Sequence, residues 1–199
     1  MSTSPRTAIL DAASEVFARF GFKKASVEDI ARRAGVGKGS IYLHFESKEA
    51  LFEASLQLSH AQSLSELEAS IRGASTPEAK VRAFIECKRQ QYTRAPLGHR
   101  IEMSTLFELG TQAANYLPRM REAEARILAR VIEEGVAQGT FAVGQPFQVA
   151  LGFVELLTML AFRTMTQLPD APDPQALNCC FEVFIRGLLA PPGPKRKPH

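Results

Sequence analysis

Residues 26–53 read SVEDIARRAGVGKGSIYLHFESKEALFE, from Ser26 to Glu53, and this stretch decides the fold. Ser26 is a helix N-cap with Asp29 three residues on, where a capping box usually places Glu or Gln. The helix it opens ends near Gly35, at a position that needs positive φ, cheap only for glycine. After a three-residue turn, a second short helix runs from about Lys38 to Phe45. Ser47 then caps a long helix reaching towards Ile71. Ala31 is small because the second helix crosses the first there, and Ile30, Ala34, Val36 and Ile41 supply the apolar contacts that lock the crossing.

Outward from this unit the chain reads as helices almost throughout. Ser4-Pro5 is a cap followed by proline at the first helical position, where its missing N–H costs nothing. Ile9, Ala12, Ala13, Val16, Phe17 and Phe20 recur at helical spacing, and Gly21 supplies the stop. Thr76-Pro77 opens a helix with Val81, Phe84, Ile85, Lys88 and Tyr92 along one side, closed before Pro96. Further helices are expected over about 98–112, 117–138, 146–168 and 174–189, the last opened by Asp173-Pro174. No segment shows strand alternation bounded by turns. The fold class is all-α, about nine helices: a three-helix N-terminal helix-turn-helix head on a larger helical body.

Composition narrows the partners. Hydrophobic residues make up 45% of the 199, enough for a sizeable core and too many for a disordered chain. The most apolar stretch, 147–168, carries Glu155 and Arg163 and reads as a buried helix, not a membrane span. Residues 1–25 lack the basic-then-apolar order of a signal peptide, so the expected location is cytoplasmic. Cys87, Cys179 and Cys180 are odd in number and share no ligand spacing with the histidines, so no metal is expected. Residues 1–50 hold eight Lys and Arg against six Asp and Glu, a mildly basic head. Residues 51–190 hold 13 against 15, and Lys195, Arg196 and Lys197 make the tail basic. This asymmetry permits an anionic partner for the head without demanding one.

The outward face of the second short helix, with Lys38, Gly39, Ser40, Tyr42 and His44, is polar and small, which suits entry into a DNA major groove. The run from Gly39 to Leu51, GSIYLHFESKEAL, resembles the signature of TetR-family regulators, in which a helix ends in Tyr-x-His-Phe and the next begins Ser/Asn-Lys-Glu-x-Leu. Ala13, Phe17, Gly21 and Phe22 match the opening of the same family, so the resemblance covers about residues 6–55. It implies a DNA-binding head over residues 1–46 and an effector-binding and dimerisation body over 47–190, while the four prolines and three cations of 191–199 read as a disordered basic tail. It also implies DNA contacts from Tyr42 and His44. Lys38 and Ser40 are either base contacts or solvated surface, and Ser26 is first a cap and second a phosphate contact. Lys48 opens a helix, where the dipole disfavours a cation unless a phosphate sits at the same terminus.

One recognition helix offers too little contact for a specific site, so two-fold pairing is expected, with a palindromic double-stranded operator. The candidate pairing surface is Phe147, Leu151, Val154, Leu177, Phe181, Phe184 and Leu188, the alternative being an internal core. The resemblance further implies a small-molecule effector, apolar or amphipathic, held among the central helices. Candidate lining residues are Phe84, Cys87, Lys88, Met103, Leu106, Phe107, Ile127, Met159 and Phe162, any of which also suits ordinary packing. Repression relieved by the effector is the implied mechanism, with activation left open. No cofactor and no enzyme activity are expected: Gly35-Val36-Gly37-Lys38-Gly39 lacks the preceding strand and spacing of a phosphate loop, and no paired-carboxylate or Ser-His-Asp pattern stands out.

Overall fold

The computed structural model describes residues 4–93, 111–165 and 173–191. These contain eight helices: α1 (Pro5–Lys24), α2 (Val27–Ala34), α3 (Lys38–His44), α4 (Lys48–Arg72), α5 (Pro77–Thr93), α6 (Thr111–Ala137), α7 (Pro146–Met165) and α8 (Pro174–Leu188). Among the described residues the only β-pairing is an isolated antiparallel bridge between Phe141 and Leu189. The all-α expectation holds. Most of the helix expected over 98–112, and the tail from 192 to 199, lie outside the described residues.

The helix ends follow local chemistry. Ser4 Oγ accepts from the Thr7 amide at 3.3 Å, and α1 leaves helical geometry at Gly21 (φ 73°), the expected stop. Thr76 Oγ1 accepts from the Ala79 amide at 3.1 Å, and Asp173 Oδ1 from the Gln175 amide at 3.1 Å, each just before the proline-led turn it caps. One boundary differs. The sequence suggests a helix beginning near Leu117 with Pro118 in its first turn, but α6 starts at Thr111 and carries Pro118 inside. Tyr116 and Leu117 pack against an apolar core, and that packing holds the turn before a residue that costs a helix a hydrogen bond.

The chain separates into two compact units. The first comprises Met1–Ser65 with Thr93–Pro118. Its core gathers Ile9, Ala13, Val16 and Phe17 of α1, Ile30 and Ala31 of α2, Ile41 of α3, and Leu51, Phe52 and Leu56 of α4. Phe52 meets Phe17 edge-on at 4.8 Å between ring centroids and Phe22 at 5.2 Å. The packing unit therefore runs past residue 46, because the first turns of α4 complete the head's core.

The second unit comprises Glu66–Tyr92 and Arg119–His199. Val81, Phe84, Leu128, Ile132, Phe141, Val154, Leu157, Ile185 and Leu188 are buried in it. After α6 the Phe141 ring lies where any Cβ on Gly135 would stand, 2.1 Å away, so position 135 has no room for a side chain. The Ala142 amide donates to the Leu188 carbonyl and the Ala190 amide to the Thr140 carbonyl, both at 2.8 Å, stitching this turn to the end of α8. Inside the unit the Lys88 ammonium donates to Glu124 Oε1 at 2.7 Å, with side chains only 5% and 8% exposed.

Candidate nucleic-acid interface

The head presents α3 through three local devices. At the start of α2, Ser26 Oγ accepts from the Asp29 amide at 3.1 Å and donates to Asp29 Oδ2 at 2.5 Å, which holds the Asp29 carboxyl below its usual range. At its end Gly35 is left-handed (φ 69°, ψ 29°), with the Val36 amide donating to the Ala31 carbonyl at 3.0 Å and the Gly35 amide to Arg32 at 3.3 Å. That double bond is a Schellman stop, and it fixes the direction in which α3 departs. Ile41, buried, and Phe45, the buried C-cap of α3, then pin one side of the short helix to the core. What remains points outward.

On that outward side Lys38, Gly39, Tyr42 and His44 are exposed and Ser40 is half-buried, as the sequence suggests for a reading face. The Lys38 ammonium pairs with Glu28 of α2, and this hydrogen bond lowers the Glu28 carboxyl and raises the Lys38 ammonium. Both groups are open to solvent, so the pair is exchangeable for a DNA partner at little cost. Ser26 is committed to capping α2, which leaves its backbone, not its hydroxyl, nearest to a phosphate role.

Lys48 resolves the conflict noted in the sequence. Its ammonium reaches the Lys23 carbonyl at the end of α1, 3.4 Å away, and lies 4.5 Å from the centroid of the Phe22 ring. A cation at the start of α4 is thus also a cation at the C-terminal end of α1, where the dipole favours it. Arg6 lies over the Phe45 ring at 5.3 Å. The hollow lined by Arg19, Arg32 and Arg33 differs: Arg32 is matched by Asp29, Arg33 by Glu15, and Arg19 lies over Phe20. Its charge is largely answered from within.

Sequence reasoning missed Leu43. It is 84% exposed in the last turn of α3, more exposed than any other large apolar residue among those described. The signal was present, since residues two either side of it, Ile41 and Phe45, both read as core.

The candidate body residues divide. Phe84, Lys88 and Ile127 are buried and Cys87 is half-buried, so they share an interior with Glu124. Met159 is exposed. Met103, Leu106 and Phe107 lie outside the described residues, as does the side chain of Phe162. Of the candidate pairing residues, Val154 and Leu188 are buried within the unit itself. Phe147, Leu151, Leu177, Phe181 and Phe184 are half-buried, with Phe184 stacked on Phe153 at 3.7 Å. On α7 and α8 the exposed large apolar residues are Leu156, Met159 and Val183, of which the sequence reading named only Met159, and as a pocket residue. Among the described residues no cluster of potential metal ligands occurs.

A capped helix, a left-handed glycine turn and a short helix turned outward from an aromatic core define a helix-turn-helix DNA-binding protein. Residues 9–55 match the model of bacterial regulatory proteins, tetR family. The chain is 27% identical over 184 residues to the fatty acid metabolism regulator protein of Bacillus subtilis, covering 90% of this chain and 93% of that one. It is 26% identical over 191 residues to the transcriptional repressor KstR2 of Rhodococcus jostii, covering 94% and 92%. The crystal structure of FadR from Bacillus subtilis in complex with stearoyl-CoA shares the fold, with a TM-score of 0.71 at 24% identity over 92% of this chain and 98% of that one. Residues 9–55 thus carry the DNA-binding domain of the tetR family, and over most of its length the chain is similar to transcriptional regulators.

Proposed function

We propose that this protein binds a palindromic operator as a homodimer, represses by occupying it, and is released by a small-molecule effector. The observation that carries the reading is the outward face of α3, held by the Gly35 stop and by Ile41 and Phe45. Residues 1–46 and the start of α4 supply the DNA contacts: Lys38, Gly39, Ser40, Tyr42 and His44 on the reading face, with Ser26 and Lys48 beside it facing the phosphates. Residues 47–190 supply pairing and sensing. Leu156, Met159 and Val183 are apolar side chains left in water on α7 and α8, which favours a second copy as their cover.

Phe84, Cys87, Lys88 and Ile127 remain the effector-facing candidates. An amphipathic effector fits an interior that joins apolar side chains to a buried ion pair, and the similar Bacillus subtilis fatty-acid regulator, solved with stearoyl-CoA, supports the same chemistry. An effector that prefers the form unsuited to DNA weakens binding by its differential affinity, commonly about 1–3 kcal/mol. The relatives are regulators, and we assign no catalysis and no cofactor. No helix among the described residues is long and apolar enough to cross a membrane, and we place the protein in the cytoplasm with the DNA it reads.

The test is a gel-shift titration against the DNA flanking its own gene at stated salt, followed by footprinting. A protected palindrome with half-sites about one helical turn or a multiple apart is expected. No specific retardation, or protection of a single half-site by one copy, overturns the reading.

A further inference from the structure

We infer that Leu43 reads the 5-methyl group of a thymine in each half-site, making it a specificity-determining residue of the recognition helix. The inference rests on the DNA-binding reading above and goes beyond it by naming what is read. With about 3.6 residues per turn, Leu43 lies about 180° around α3 from the midpoint between Ile41 and Phe45, the two residues buried in the head. It is therefore the centre of the outward face, not its edge. Gly39 and Ser40 lie within about 60° of it on the preceding turn, while Tyr42 and His44 stand on the shoulders about 100° away. Lys38 falls further round towards α2, as its pairing with Glu28 requires.

The chemistry follows from that order. A group on the outward line of a helix seated in the major groove faces base edges, and groups on the shoulders are nearer the flanking backbones. Leucine has no donor or acceptor, so the feature it can distinguish in a major groove is the thymine methyl. Its neighbours leave room for the approach: a Cβ added at Gly39 would meet nothing within 4 Å, so glycine is not demanded there by packing inside the protein. A leucine 84% exposed also contributes nothing to the head's core, whose members are all buried without it.

Duplexes are first selected from a random pool with the full chain. Thymines in the selected site are then replaced singly by deoxyuridine, which removes only the methyl, and Kd is measured for the native protein and Leu43→Ala. At one thymine in each half-site the native protein loses about threefold to fivefold, the worth of one buried methyl. Leu43→Ala is indifferent to the same replacement and matches the native protein in thermal unfolding. Half-sites without a thymine, replacement that affects neither protein, or equal losses in both proteins overturn the assignment of Leu43 while leaving the regulator reading intact. Failure to select any specific duplex overturns the regulator reading, and this inference with it.

Discussion

The two units place their distinctive chemistry in opposite positions. In the head the groups of interest are on the outside, and the interior is aromatic and aliphatic: Phe17 and Phe52 pack edge to face in one cluster with Ile30 and Ile41. In the body the groups of interest are inside, where Lys88 and Glu124 form an ion pair among Phe84, Leu128 and their neighbours, while Leu156, Met159 and Val183 are left on the surface. A reading head needs a rigid, unremarkable core so that its surface is constant. Under the proposed function, the apolar area outside serves a second copy and the polar groups inside serve a ligand. The difference teaches that mutations of equal chemical size should register as binding in the head and as stability in the body.

The sharpest way to break that comparison is at the buried pair. Lys88→Met leaves the Glu124 carboxylate without its cation in an apolar interior, and about 3–5 kcal/mol of stability should be lost in chemical denaturation. Lys88→Met combined with Glu124→Leu removes both charges, and most of the loss should return. A single variant that unfolds like the native chain would mean the pair is solvated and the body's interior is not as described. The next effect belongs to the head. Gly35→Ala forces a side chain into the left-handed region, which should cost about 1–2 kcal/mol and weaken DNA binding with it, because the stop that aims α3 is strained. No change in either measurement would remove Gly35 from the aiming of α3.

How far the sequence could be read differs between the units for the same reason. The head was legible because its determinants are local: Ser26, Ala31, Gly35 and Ile41 lie within one short stretch and fix caps, crossing and turn without help from distant residues. Its one omission, Leu43, came from assigning the outward face by polarity when position around the helix decides it. In the body the helices were legible from Thr76-Pro77 and Asp173-Pro174, but their inward sides were not. Helix α7 is apolar on several sides, so Val154 and Leu156 look alike in sequence, yet the first is in the core and the second in solvent. The start of α6 was misplaced for the converse reason: packing of Tyr116 and Leu117 carries the helix back through Pro118 to Thr111, ahead of the expected start near residue 117.

Tyr116 sharpens the comparison at smaller scale, since it is a polar group that the head does bury. Its hydroxyl makes no hydrogen bond among the described residues, and burial first, then the Glu53 charge, pushes its pKa up to about 12. An unfolded tyrosine ionises near 10, so above that pH the native chain holds a proton that the unfolded chain releases. The stabilising contribution is complete below about pH 10 and is lost as pH rises through about 12. Tyr116→Phe should flatten that alkaline loss by on the order of 1 kcal/mol, the figure being reduced for partial exposure. Identical alkaline unfolding curves for the two proteins would show that the phenol is hydrated.

The smallest effect separates the two roles open to Lys48, which the geometry places both at the end of α1 and beside the reading face. As a partner of the Lys23 carbonyl and the Phe22 ring it is a surface contact, and Lys48→Ala should cost well under about 1 kcal/mol of stability. As a phosphate contact it adds affinity without sequence preference. The slope of log K against log salt should then fall by about 1 per half-site on specific and non-specific duplexes alike. The two roles therefore leave different traces: a slope unchanged beside a small loss of thermal stability assigns Lys48 to the α1 terminus alone. A changed slope beside unaltered unfolding assigns it to DNA, and the head's rule that surface changes register as binding then extends to a residue that is half-buried.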